Sequence, residues 1–78
     1  MARTRKNRRA PNHDLIAARV NRGLTRVDLE RLTNVSRETI RLSEAGWTPG
    51  PRYQFAIANA LGVQPLDLWP IERQRVAA

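Results

Sequence analysis

Residues 23–46 read GLTRVDLERLTNVSRETIRLSEAG, and this stretch decides the fold. Gly23 takes the left-handed conformation cheaply and ends whatever helix precedes it. Thr25 with Asp28 three residues on is a near capping box, so a helix starts there. Leu29 and Leu32 follow at i, i+3 spacing and are expected to face inward. Thr33-Asn34-Val35 breaks the pattern, and Asn34 tolerates positive φ. Ser36 caps the next helix, SRETIRLSEA, anchored by Ile40 and stopped by Gly46. Two helices joined by so short a turn make a helix-turn-helix, although any small helical domain can contain such a pair.

Outward from this pair the chain continues to read as helices. Pro11 ends an N-terminal arm, Asn12 caps a first helix, and Asp14 suits its first turn. Leu15, Ala18 and Val20 form its apolar stripe, with Ile16 alongside, and Leu24 packs as the chain turns. Thr48-Pro49-Gly50-Pro51 is a loop by composition. Pro51 opens a fourth helix that runs to Leu61 and stops at Gly62. Ile57, Ala58 and Leu61 are its core face, with Phe55 or Tyr53 covering an edge. Pro65 opens a short fifth helix, where Leu66, Leu68 and Trp69 close the core before Pro70. The pattern contains neither a convincing strand nor an internal repeat.

Charge is unevenly placed. The 78 residues carry 14 Lys+Arg against 7 Asp+Glu, a net of +7. Arg3, Arg5, Lys6, Arg8 and Arg9 fall within residues 1–11, which contain no acid. The remainder is nearly balanced. We therefore read residues 1–11 as a basic arm, disordered on its own, residues 12–70 as the folded domain and residues 71–78 as a tail. The arm suits nucleic acid, for instance along a minor groove, and a solubilising tail is the plainer reading. It lacks the apolar anchor that a lipid surface requires. Thirteen of the 14 basic residues are arginine, which suits bidentate contact with phosphate and guanine; GC-rich coding produces the same bias.

Other classes are disfavoured. A chain of this length forms one domain and buries only about 60% of its unfolded surface. With no cysteine there is no disulfide or thiolate chemistry. His13 is the only histidine, and it lies beside a helix cap. Glycine-rich phosphate loops and clusters with metal-ligand spacing are both missing, so neither an enzyme nor a cofactor is expected. No apolar run is long enough for a transmembrane helix, and the basic start lacks the apolar stretch of a secretory signal, so a cytoplasmic, nucleoid-associated protein is expected.

The same stretch, with Pro51 and AIANALGVQPLDL after it, resembles the phage-repressor and Cro-type helix-turn-helix, the xenobiotic-response-element family. The most specific matches are Gly23-Leu24-Thr25, Val35-Ser36-Arg37, Ile40 with Glu44 and Gly46, and Ala58 through Val63. The resemblance covers roughly residues 15–69 and implies an all-α, compact five-helix repressor-like domain whose third helix reads DNA. Three positions depart from the pattern. Glu30 stands where a small residue is usual and must lean outward or find a partner. Ser43 stands where an apolar residue is common. Leu42 occupies a usually polar position, so the base-reading face is left open.

The resemblance implies a transcriptional regulator, in first place a repressor, with the first turn of helix three in the major groove. Arg37 then pairs with guanine, and Glu38 accepts from cytosine or orients Arg37 or Arg41. Thr39 meets a phosphate or a thymine methyl, and Arg41 and Leu42 reach a flanking base or the backbone. The plainer reading of Arg37, Glu38 and Arg41 is a solvated face with local ion pairs. Phosphate contacts fall to Arg26, Ser36, Trp47, Gly50 and Arg52, with Trp47 packing across its loop as the alternative. Arg19 and Glu44 match a structural ion pair of the family. The partner is double-stranded DNA, with a homodimer on a two-fold operator open to it. The alternative is an antitoxin or adaptor module whose main partner is another protein. An RNA-binding peptide resting on the arm alone is disfavoured by the four aromatic residues, too few for a stacking platform.

Overall fold

The computed structural model describes residues 10–71, and five helices run through them. They are α1 His13–Asn21, α2 Arg26–Thr33, α3 Arg37–Glu44, α4 Pro51–Leu61 and α5 Pro65–Leu68. Among the described residues no strand forms. The all-α, five-helix architecture follows from local chemistry at each boundary.

The caps fall where the sequence puts them. Asn12 Oδ1 accepts from the Leu15 amide at 3.1 Å. Thr25 and Asp28 form a reciprocal capping box, with bonds of 2.9 and 3.0 Å. Ser36 Oγ accepts from the Thr39 amide at 3.1 Å. Asn34 sits at φ 66° as the C-cap of α2, and this single left-handed residue lets the chain double back into α3. The turn is locked by Thr33, whose hydroxyl donates to the Leu29 carbonyl and accepts from the Val35 amide.

Leu15, Leu29, Val35, Ile40, Ile57, Ala58, Leu61, Leu68 and Trp69 form one buried cluster. Around it α2 packs on α3 and α4, α1 on α3 and α5, and α4 on α5. Each helix contributes at least one fully enclosed side chain, so none of the five is peripheral. Truncating Ile40 to alanine at the centre would cost about 2–5 kcal/mol.

Several expected core positions lie elsewhere. Leu32 is 61% exposed, and with Leu24, Asp28 and Arg31 it lines an open groove. Three residues turn a helix by about 300°, so once Leu29 points at the centre Leu32 stands well to one side. Val20, at the end of α1, and Leu66, at the start of α5, are exposed. Phe55 and Tyr53 are also exposed, so neither encloses an edge of the core. Val35, which the sequence reading assigns only to the turn, belongs to the core.

Asn12 does more than cap. It is fully buried, its side-chain Nδ2 donates to the Leu68 carbonyl at 2.8 Å, and its amide donates to the Glu44 carbonyl at 2.9 Å. One residue thus joins the start of α1 to the ends of α3 and α5. The five basic residues of the arm, Arg3 to Arg9, lie outside the described residues.

Candidate nucleic-acid interface

Two sets of contacts fix α3. Its inner face carries Ile40, Ser43 and Glu44, all buried. The Ser43 hydroxyl donates to the Thr39 carbonyl at 2.8 Å, so a polar side chain occupies this enclosed position without an unmet hydrogen bond. Glu44 is only 2% exposed, and a buried carboxylate requires partners. Arg19 on α1 supplies Nε to Oε2 at 2.5 Å and Nη2 to Oε1 at 3.3 Å. The Arg19 Nη1 group also donates to the Leu24 carbonyl at 2.9 Å.

The expected Arg19–Glu44 pair is therefore present, and it is the core of a triad. Arg26 on α2 donates from Nε to Glu44 Oε1 at 3.0 Å. The sequence reading gives Arg26 to phosphate and does not anticipate this tie. Its side chain remains 44% exposed, so Arg26 still reaches the surface. Cross-element partners of this kind depend on where helices cross, and sequence spacing carries no signal for them.

The outer face of α3 presents Arg37, Glu38 and Arg41, all exposed. Arg41 donates to Glu38 through two bonds, Nε to Oε1 at 3.1 Å and Nη2 to Oε2 at 2.6 Å. This fork holds the Glu38 carboxyl below the ordinary carboxylate value, chiefly through the Arg41 hydrogen bond, and raises Arg41 for the same reason. Arg37 Nε lies 3.0 Å from Glu30 Oε1, so Glu30 has found a partner on the neighbouring helix. Thr39 and Leu42 flank this face and are half-buried. Of the positions that depart from the family pattern in α3, Ser43 is buried and Leu42 half-buried, while Arg37, Glu38 and Arg41 are exposed.

The remaining expected contacts lie around this face. Ser36 is exposed, and its hydroxyl is engaged with Thr39. Trp47 is 50% exposed, which leaves half of its surface unpacked in the loop after α3. Gly50 is the N-cap of α4, which has no side-chain cap, and Arg52 in the first turn is exposed. A helix start of this kind carries open amides and a partial positive charge. His13 is exposed, and the described residues contain no group of three or more His, Asp or Glu able to hold a metal ion. No helix among them is long and apolar enough to cross a membrane.

The family model described as helix-turn-helix, in its Cro/C1-type form, matches residues 15–68. The chain belongs to this family. The matched residues span α1 from Leu15 to the end of α5, well over half of the chain. No curated protein and no solved structure matches it. Membership makes the domain a DNA-binding transcriptional regulator of the helix-turn-helix type. In this member the turn is Thr33-Asn34-Val35 and the second helix of the motif is α3.

Proposed function

We propose that this helix-turn-helix protein is a sequence-specific reader of double-stranded DNA that acts as a repressor, with the first turn of α3 in the major groove. The observation that carries the reading is the contrast between the two faces of α3. One is pinned by a buried carboxylate shared by two arginines, and the other holds Arg37, Glu38 and Arg41 in solvent. A rigid helix with exposed forked donors is what bidentate base contact requires. Arg37 reads guanine, Glu38 and Arg41 meet the neighbouring pair, and Thr39 and Leu42 border the groove. Arg26, Ser36, Trp47, Gly50 and Arg52 lie along the phosphates.

The helix-turn-helix segment itself is electrically balanced, with four arginines and four acids between Thr25 and Ala45. Non-specific attraction therefore falls to the arm and the start of α4. A homodimer on a two-fold operator doubles the few base contacts that one such domain makes.

Selection of bound duplexes from a random pool tests this reading, with the full chain and a chain lacking residues 1–10 side by side. Both should enrich one motif, the shorter chain more weakly. If no motif emerges, or if all binding leaves with the arm, the domain is not a DNA reader.

A further inference from the structure

Glu30 and Arg37 each stand at the unfavourable end of their own helix. Glu30 opens the last turn of α2, where backbone carbonyls already concentrate negative charge. Arg37 is the first residue of α3, where the helix end is positive. Each is disfavoured alone, and the Asn34 turn brings them together at 3.0 Å. The contact is made by the Nε side of the guanidinium. The Arg37 side chain is 63% exposed, so its terminal Nη end is open to solvent. Arg41 differs, because Glu38 occupies both its Nε and its Nη2. Glu30 is also the only acid of α2 placed to do this, since Asp28 is closed in the Thr25 capping box.

From this asymmetry we infer that Glu30 is a positioning residue for base recognition. It holds the Arg37 guanidinium at Nε and leaves its Nη end to face outward, making Arg37 the reader of one guanine while Arg41 meets the neighbouring pair only together with Glu38. The inference rests on the DNA-reading role proposed above and adds a residue of α2 to the specificity of α3. Arg37 is exposed and Glu30 half-buried, so the pair is screened by solvent, its effect on stability is small and its effect on orientation is what matters.

The test is random-duplex selection with the intact chain and with E30A, E30Q and R37A, each also melted thermally. The wild type should enrich a motif with one guanine that R37A no longer requires. E30A should lose preference at that same position by about two- to fivefold, the scale of an exposed ion pair. Its melting temperature and its preference elsewhere should stay unchanged, and E30Q, which keeps an acceptor for Nε, should fall between. If R37A loses the guanine and E30A keeps it, the inference fails and the DNA-reading role stands. The inference also fails if E30A weakens every position alike with a lower melting temperature, because that marks a structural role. If R37A enriches the wild-type motif, Arg37 reads no base and Glu30 has nothing to position. If the wild type enriches nothing, the DNA-reading role falls and this inference with it.

Discussion

Arg19 and Glu44 lie 25 positions apart in the chain, and their side chains are joined by two hydrogen bonds within the partly buried seam between α1 and α3. The pair ties the end of α3 to α1. It also makes α3 vulnerable, because both charges are largely shut off from water and depend on their partners.

Replacing Glu44 with alanine strands Arg19 and weakens the hold on Arg26. We expect a loss of about 3–5 kcal/mol, a large share of the stability of so small a domain. Arg26→Ala should cost far less, because that side chain is 44% exposed. Urea unfolding followed by circular dichroism measures both, and equal losses would show that the triad does not have this geometry.

Asn12 supplies a cap and a cross-link at once. Asn12→Ala removes the acceptor for the Leu15 amide and leaves the buried Leu68 carbonyl without its donor, with an expected cost of about 2–3 kcal/mol. Asn12→Asp keeps the cap acceptor and sets a carboxylate against that carbonyl, so it should be at least as damaging. A melting temperature for Asn12→Asp close to wild type would mean that the link to Leu68 contributes little.

Acid should act on the capping box of α2. Asp28 is held below its ordinary value of 3.8, first by the Thr25 backbone N–H and then by the Thr25 hydroxyl. A lowered folded value means that stabilisation is complete above the ordinary aspartate range. It is lost as pH falls from about 4 through the depressed value. The advantage of wild type over Asp28→Asn in urea midpoint should therefore be constant near pH 6 and vanish toward pH 2. A gap independent of pH over that span contradicts the assignment.

The arm should dominate the salt dependence. If the full chain neutralises about five to seven phosphates, log K falls with log salt at a slope of roughly −5 to −6. Removing residues 1–10 takes away Arg3, Arg5, Lys6, Arg8 and Arg9 and should flatten that slope by up to about 4.5. Fluorescence anisotropy on one duplex across a salt series measures it. An unchanged slope would place the arm off the DNA.

Much of the architecture was legible because it is local. Asn12, Thr25 with Asp28, Ser36, Pro51 and Pro65 each declare a helix start through a hydrogen bond or a missing donor within three residues. Asn34, Gly46 and Gly62 declare an end or turn through positive φ. The central apolar residues Leu15, Leu29, Ile40, Ile57, Leu61, Leu68 and Trp69 were legible for the same reason. Leu32 and Leu66 misled because helices of eight and four residues are too short for spacing to separate an inner face from its flank. What stayed hidden is non-local: the Arg26 bond to Glu44, the Arg37 contact with Glu30, and the link from Asn12 to Leu68. Each needs the crossing of two helices to be known first. The Arg19–Glu44 pair was foreseen only through family resemblance.

The central claim is that the leading edge of α3 enters the major groove and that Arg37 meets a guanine there. Methylation of guanine N7 blocks the acceptor that such an arginine uses. On a selected duplex, methylation at one guanine should reduce binding of the wild type at least about tenfold, the scale of one bidentate base contact. Arg37→Ala should be indifferent to the same modification. If no N7 methylation affects the wild type, or if Arg37→Ala shows the identical interference pattern, α3 does not read DNA in this way.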